Sequence, residues 1–193
     1  MLWCSNTRFS VLMATVNLLP NEDVYNTWTK PGFANTYSYM AVDHSGNIST
    51  DGAGSLRATA TGKVFTLGFE NFTEDFSTID SVQAVVRSGN NGRGASFEIE
   101  MTMVDYGSGS AFWSAEGSGS QAGTIDYRTQ TFTSRTTSDG SSAWTNTNIN
   151  NLRMSVELTA HSGGTTRATY CYFIVTYTEP VAGDNAIFFG CNF

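Results

Sequence analysis

Apolar and polar side chains alternate along much of this chain with a period of two, which is the pattern of β-strands that bury one face. The clearest stretches are ASFEIEMTMVDY at 95–106 and LRMSVELTA at 152–160. The apolar positions of these two stretches are Phe97, Ile99, Met101, Met103, Leu152, Met154, Val156 and Leu158. We predict that both sets point into one core and that the intervening polar side chains face solvent.

Shorter stretches of the same character are separated by Gly, Asn, Asp and Ser clusters, a spacing typical of β-sandwiches. Further strands are predicted at 34–42, 55–60, 64–72, 79–88, 111–116, 127–137 and 167–180. The TGK turn predicts that 55–60 and 64–72 pair as a hairpin, and 111–116 is expected to pair with 95–106. The core positions of 79–88 are Ile79, Val82, Ala84 and Val86, whose phase shift around Asp80 predicts a bulge or strand start.

The segment WTNTNIN at 144–150 joins two predicted strands and has room for at most one helical turn. Asn side chains cap and turn the chain through local hydrogen bonds, so this segment is interpreted as a corner. Trp144 is expected to cover one end of the core rather than to bind a sugar. With about eight or nine strands and almost no helix, the chain is predicted to be all-β, an antiparallel two-sheet jelly-roll β-sandwich.

The strand pattern occupies the middle of the chain and defines three segments. Residues 1–15 form either an N-terminal arm or an incorrectly assigned start, with Met13 as a possible true start. Residues 16–180 form the jelly-roll domain, and residues 181–193 form an apolar C-terminal tail. At 193 residues one core is sufficient, so a single domain is expected.

Composition and charge exclude several classes of partner. The chain carries 17 acidic and 10 basic residues, a formal charge of −7, and has no cluster of Lys or Arg that could neutralise phosphates. Nucleic acid is therefore not an expected partner. No stretch approaches the roughly 20 apolar residues of a membrane span, so no membrane partner is expected either.

The three cysteines, Cys4, Cys171 and Cys191, lack the spacing of a zinc site or a disulfide framework. Cys171 lies in an apolar strand and is predicted to be a buried thiol. The oxygen-bearing residues of DHSGNISTDG depart from the calcium-loop spacing. No metal and no cofactor are predicted.

No recognisable catalytic constellation is present, and the chain is predicted not to be an enzyme. His44 and His161 lie in apparent turns without a nucleophile in a recognisable arrangement. A polysaccharide hydrolase would need Glu98, Glu100 and Asp126 to converge in a groove. Because Glu98 and Glu100 fall on the polar face of one strand, they are interpreted as solvated charges. GNNGRG at 89–94 is a hairpin loop without the helix that a phosphate site requires.

Several stretches together resemble small jelly-roll virion structural proteins of tailed bacteriophages. They are VNLLPNEDVYNTWT, YSYMAVDH, VFTLGFENF, TIDSVQAVVRS, TSRTTSDGSSAWTNTNINNLRMSVEL and ATYCYFIVTYTEP, in this order over residues 16–180. The resemblance implies a non-enzymatic protein of the virion, above all a capsid decoration or cement protein that binds the outer shell. The partner would be the major capsid protein or another virion protein, with assembly in the bacterial host cytoplasm.

Apolar side chains outside the strand pattern predict a subunit contact, because a free tail would expose less apolar area. They are Trp3, Phe9, Ile187, Phe188, Phe189 and Phe193. A homo-oligomer is expected, with a trimer as the most plausible form.

The alternative function is a tail-associated or receptor-binding appendage that holds a glycan as carbohydrate-binding modules do. The candidate glycan-binding residues are Tyr106, Trp113 and Tyr127, which lie beside the Gly/Ser loops.

Overall fold

The computed structural model of the protein describes residues 12–30, 40, 55–123 and 127–180. The elements in chain order are β1 (Met13–Leu18), β2 (Pro20–Asn26), β3 (Leu56–Ala58), β4 (Lys63–Phe69), β5 (Thr78–Asn90), β6 (Ser96–Asp105), β7 (Glu116–Gly117), β8 (Gln121–Ala122), β9 (Arg128–Thr131), α1 (Asn146–Asn150), β10 (Leu152–His161) and β11 (Thr166–Thr178). All the strand pairs are antiparallel. The fold is an antiparallel two-sheet jelly-roll β-sandwich, as the alternation predicts.

The strands form two sheets that pack face to face. Sheet A has the order β1-β11-β5-β9, with β3 also paired to β11. Sheet B has the order β2-β4-β10-β6-β7, with β8 also paired to β6. Eight of the eleven described strands are four residues or longer, so the expected number agrees with the structure once the two- and three-residue strands are set aside.

The core lies between the sheets and contains both predicted apolar sets. All eight positions of β6 and β10 are at most 3% exposed. The opposing side of the core comes from β5 and β11, where Phe173 is opposite Ala84 and Val175 is opposite Val82. The predicted register of these strands is confirmed.

The predicted phase shift in β5 is a β-bulge. Thr176 pairs with Ser81 and Tyr177 pairs with Ile79, so that Asp80 has no partner in the ladder. Asp80 and Ser81 are therefore both partly exposed, while Ile79 and Val82 on either side of them are buried. The bulge lets one strand keep its apolar side chains in the core on both sides of the irregularity.

The predicted hairpin between 55–60 and 64–72 is wrong. Strand β3 pairs with β11 in sheet A, whereas β4 pairs with β2 and β10 in sheet B. Gly62, at φ +74°, donates its backbone N–H to Leu158 O at 2.9 Å. The TGK segment thus turns the chain from one sheet to the other, because Leu56 and Phe65 must bury themselves on opposite walls of the core.

The predicted strand 127–137 is much shorter than expected, because β9 ends at Thr131. From there the chain runs beside β5. Phe132 N donates to Ala84 O at 3.0 Å, and Arg135 forms an isolated β-bridge with Val82. Regular ladder pairing thus ends at Thr131, and beyond it the chain keeps separate hydrogen bonds to β5.

Trp144 covers the core next to this stretch, as predicted. It is 4% exposed, its Nε1 donates to Arg135 O at 2.8 Å, and its ring lies 5.5 Å from that of Phe112. The following turn is helix α1, whose N-terminus is closed by a capping box between Thr145 and Asn148. The corner interpretation of this segment is confirmed.

Two strands at the start of the described chain were not predicted. Strand β1 pairs with β11 and β2 pairs with β4. Strand β1 spans the expected boundary between residues 15 and 16, so Met13 to Thr15 belong to the sandwich. The polar PNEDVYN sequence of β2 hides its strand character, because this strand lies at a sheet edge with most of its side chains in solvent.

Cys171 is a free, fully buried thiol, as predicted, and burial raises its pKa above the ordinary value. Cys4 and Cys191 lie outside the described residues, and of the predicted strand 34–42 only Met40 is described. Among the described residues, no helix is both long enough and apolar enough to cross a membrane.

Candidate binding face on the outer side of sheet B

The outer face of sheet B carries two strongly exposed tyrosines. Tyr25 on β2 is 56% exposed and Tyr106, directly after β6, is 57% exposed. The outward side chains of sheet B form three rows that run across the strands. We call this surface the open face and define it by Glu22, Tyr25, Thr66, Gly68, Glu98, Glu100, Thr102, Val104, Tyr106, Arg153, Ser155 and Glu157.

The first row places an ion pair beneath a tyrosine ring. Glu22, Gly68, Arg153 and Val104 are successive partners across β2, β4, β10 and β6. The Arg153 guanidinium donates to Glu22 Oε2 at 3.1 Å and lies 4.4 Å from the centre of the Tyr106 ring. Glycine at 68 leaves room for the pair, because a Cβ there would lie 2.7 Å from Glu22 Oε2 and 2.9 Å from Arg153 Nε and would displace these side chains.

Arg153 is only 8% exposed, and its hydrogen bonds hold it in one place. Its Nη1 donates to Leu152 O at 3.0 Å and to Asn150 O at 3.3 Å. A cation fixed under an aromatic face attracts the ring quadrupole. Tyr106 is therefore an exposed ring held in place from below.

The second row is made of hydroxyl groups. Tyr25, Thr66, Ser155 and Thr102 are successive partners across the same four strands. Thr66 Oγ1 donates to Ser155 Oγ at 3.1 Å. Strand spacing and rise place Tyr25 about 12 Å from Arg153, so a ligand that touched both tyrosines would have to extend across the sheet.

The third row concentrates negative charge. Glu157 is directly opposite Glu100, and Glu98 precedes Glu100 by one outward position on β6. Like charges directly opposite each other in a sheet are destabilising. Glu98 also lies against Gly117, where an added Cβ would come within 2.6 Å of its Oε1. Between described residues, ion pairs join Lys30 to Asp23, Arg135 to Glu116 and Arg153 to Glu22, and none of them includes these three glutamates.

The three predicted glycan-binding residues do not share one surface. Tyr106 belongs to the open face, whereas Trp113 lies at the side of the sandwich. There its Nε1 donates to Thr137 O at 2.9 Å and the guanidinium of Arg135 lies 4.5 Å from its ring centre. Tyr127 is 9% exposed and packs under Arg87 of sheet A. The alternation places Tyr106 at the end of β6, but the positions of the other two depend on how the chain closes the sandwich.

Sequence reasoning missed Tyr25 and Arg153 as members of this surface. Tyr25 lies in a polar stretch without alternation, and a bulge between Asp23 and Tyr25 turns its side chain to the outer side. Arg153 has the signal of an outward position, since it falls between Leu152 and Met154. The sequence pattern therefore indicates that Arg153 faces outward. Its partner Glu22, which makes it part of the open face, comes from the distant strand β2.

The residues weighed for catalysis and metal binding are not brought together in the described structure. Glu98 and Glu100 lie on the outward face of β6, as predicted, and His161 is opposite Phe97 at the end of β10. His44, Asp126 and the DHSGNISTDG segment fall outside the described residues. The described residues contain no group of three His, Cys, Asp or Glu side chains suited to a metal ion.

One carboxylate beside the open face is stabilised in its charged form. The Ser108 hydroxyl donates to Asp105 Oδ2 at 2.8 Å and Gly107 N donates to Oδ1 at 3.1 Å. These hydrogen bonds, the Ser108 side chain first, lower the pKa of Asp105. Tyr106 thus leaves β6 through a turn that Asp105 closes, and this turn directs its ring back over Arg153.

No family model matches the chain, and no curated protein is significantly similar to it in sequence. Solved structures of similar shape include a CBM36-1 domain of a multidomain xylanase from the hindgut metagenome of Trinervitermes trinervoides, with TM-score 0.39 and 12% identity over 84% of this chain and 96% of that one. The xylan-binding module CBM15 has TM-score 0.40 and 14% identity over 89% of this chain and all of that one. A chain of infectious bursal disease virus Gt strain has TM-score 0.35 and 10% identity over 92% of this chain and 37% of that one. These likenesses concern general shape and imply no ligand for this chain.

Proposed function

We propose that this chain is a non-enzymatic structural protein of a tailed-bacteriophage virion that binds its neighbour through the open face. The observation that carries the proposal is the pair of exposed tyrosines, Tyr25 and Tyr106, on one outer side of the sandwich. Tyr and Arg are enriched among the residues that dominate protein interfaces. Because Arg153 already holds Tyr106, less side-chain freedom would be lost on binding.

A role as a capsid decoration or cement protein follows from the same surface and from the sequence resemblance. The partner would be the major capsid protein or another virion protein. A decoration protein that bridges neighbouring shell subunits adds its contact energy to the cost of opening the shell, and many copies multiply a modest contact. Such a role requires a stable domain with one available face.

The glutamates of the open face indicate the charge of that partner. Glu98, Glu100 and Glu157 repel one another in the free protein. A partner surface with Lys or Arg would relieve this repulsion and would speed association at low salt. Binding to the particle should therefore weaken as the salt concentration rises.

We also propose a homo-oligomer, with a trimer as the most plausible form. Its contact residues would be the terminal apolar side chains Trp3, Phe9, Ile187, Phe188, Phe189 and Phe193, which lie outside the described residues. Leu12 and Met13, which follow the N-terminal segment in sequence, are 59% and 63% exposed and add apolar area to this contact. Light scattering on the full chain and on a chain that lacks residues 182–193 tests this assembly.

Glycan binding is the second candidate, favoured by the hydroxyl row beside Tyr25. An exposed aromatic ring next to Thr66 and Ser155 could combine stacking on a sugar with hydrogen bonds to its hydroxyls. The open face would then belong to a tail-associated or receptor-binding appendage. This candidate uses the same two tyrosines, so one set of variants tests both functions.

The decisive experiment mixes purified protein with particles that lack it and measures co-sedimentation. The variants are Tyr25→Ala and Tyr106→Ala, and Val24→Ala is the matched control because Val24 is exposed on the same strand. Virion binding that both tyrosine variants weaken and the control retains supports the decoration proposal. A glycan array that responds to the wild type and not to the variants, with no particle binding, would establish the second candidate instead.

A further inference from the structure

Among the described strands, β1 lies at the edge of sheet A. In the described part of the chain it pairs with β11 alone. Leu12 O accepts from Glu179 N at 3.0 Å, which assigns the backbone groups of the even-numbered residues to β11. The backbone N–H and C=O groups of Met13, Thr15 and Asn17 then point to the opposite, open side.

The open side of β1 ends in a groove. The backbone groups of Leu19, the residue after β1, are already bonded to Glu70 in the loop after β4. Glu70 N–H donates to Leu19 O at 2.9 Å, and Glu70 Oε2 accepts from Leu19 N at 3.3 Å. Between this loop and β1 lies a cleft of about 420 Å³. The backbone groups of Asn17 therefore face a cavity that has room for another chain segment.

The walls of this groove combine an apolar floor with an acidic rim. Val16, Leu18 and Phe72 form the floor, and Glu70 and Glu74 stand at the rim. Val16 points to the core side of sheet A but remains partly exposed, because no described strand covers it. A strand added to β1 would complete the burial of Val16.

The described charged residues around the groove are acidic. The pKa of Tyr177, which is opposite Ala14, is raised first by burial and then by the charges of Glu74 and Glu179. No Lys or Arg is among the described residues that line the groove. A segment that enters it would be favoured if it carried positive charge.

Strand β1 also lacks the features that keep edge strands from pairing. Its sequence, MATVNL, contains no charged residue and no proline. Met13 at its start is 63% exposed. An uncharged, unpaired edge of this kind is a template for strand addition.

We propose that β1 accepts an extended basic segment of a partner protein as an additional strand of sheet A, with a Lys or Arg side chain directed to Glu70 and Glu74. A second copy of this chain is disfavoured because two copies would bring their acidic rims together. This site lies at the edge of sheet A and is separate from the open face.

The test measures fluorescence anisotropy with a labelled, end-capped heptapeptide that alternates lysine and threonine. The wild-type protein should bind it, and Thr15→Pro should bind at least about tenfold more weakly, because proline removes the donor that faces the open side. Thr15→Val is the matched control, since it keeps the backbone N–H and the strand preference and should retain the affinity. Proline is tolerated at an edge strand whose N–H faces outward, and circular dichroism will confirm the fold.

The charge requirement is tested separately with Glu74→Gln, which keeps the size of the side chain. This variant should bind the lysine peptide several-fold more weakly, and the wild type should bind a glutamate–threonine peptide more weakly still. Absence of lysine-peptide binding at millimolar concentration, or equal binding by Thr15→Pro, would overturn the proposal. A wild-type dimer that Thr15→Pro dissociates would also overturn it, since the occupant would then be a second copy.

Discussion

The two outer faces of the sandwich differ, although each belongs to a sheet of the same antiparallel type. On the outer side of sheet A, Val85 of β5 is 1% exposed, although Tyr172, its partner on β11, is partly exposed. On the outer side of sheet B, the corresponding central positions, Ser155 and Thr102, are partly exposed and Glu157 is exposed. The outer side of sheet A therefore contains a fully buried position on β5, whereas none of the central positions named for sheet B is fully buried.

Two arginines sharpen this contrast, because both are 8% exposed. Arg153 belongs to the open face and is held by Glu22 and two backbone carbonyls. Arg167 lies on the outer side of sheet A, opposite Arg57 of β3. Equal exposure therefore accompanies different surroundings, and the contacts of Arg153 with Glu22 and Tyr106 make it part of the open face.

The largest expected effect comes from introducing a charge on each outer face in turn. Val85→Asp should prevent folding, because an unpaired buried carboxylate costs several kcal/mol against a total stability of about 5–15 kcal/mol. Thr102→Asp, on the open face, should fold. Thermal unfolding followed by circular dichroism measures both, and equal midpoints for the two variants would show that the faces do not differ in burial.

A smaller effect is expected at alkaline pH and arises from sheet A. The pKa of Cys171 is raised by burial from its ordinary value of 9.0, so the folded state keeps the thiol protonated after the unfolded chain has lost its proton. Stability is then complete below pH 9 and falls by about 1.4 kcal/mol per pH unit above it. Urea unfolding at pH 8 and at pH 10 measures the loss.

The matched variant for this pH effect is Cys171→Ala, which removes the thiol. It should show a smaller loss between pH 8 and pH 10 than the wild type. A residual loss is expected from Tyr177, whose pKa is also raised from its ordinary value of 10.0. An unchanged loss in Cys171→Ala would assign the alkaline sensitivity to other groups.

Gly68→Ala tests the ion pair of the open face and should cost about 1 kcal/mol. The added methyl group would displace Glu22 and Arg153 from each other. Urea unfolding measures the stability, with Thr102→Ala as a control on the same face. If Gly68→Ala were as stable as the control, the close approach of the two side chains would not matter for the fold.

The smallest effect, and the only expected gain, belongs to Glu100→Lys. It replaces the like-charge pair with Glu157 by an opposite-charge pair and should stabilise by about 0.5 kcal/mol at low salt. The gain should disappear in about 1 M salt, where the Debye length is about 3 Å. The same variant should bind the particle more weakly if the acidic row meets a basic partner, so stability and binding would change in opposite directions.

Local features of the sequence predict a large part of the fold. The alternation in β6 and β10 identifies the core positions, and the phase shift at Asp80 identifies the bulge. The Asn-rich corner after Trp144 identifies a single helical turn. Each of these depends on residues close in the sequence, where a period of two or a capping side chain acts directly on the local backbone.

The tertiary structure decided which strands became neighbours. Strands β3 and β4 are separated by a short turn but enter different sheets, because Leu56 finds its neighbours on β11 and Phe65 finds its own on β2 and β10. The same long-range pairing brings Glu22 to Arg153, 131 residues apart. The sequence by itself determined the class of the fold and the side chains of its core, since burial follows a local period. The rows of the open face, and the side of β1 that no described strand pairs with, depended on contacts between distant strands that no local pattern encodes.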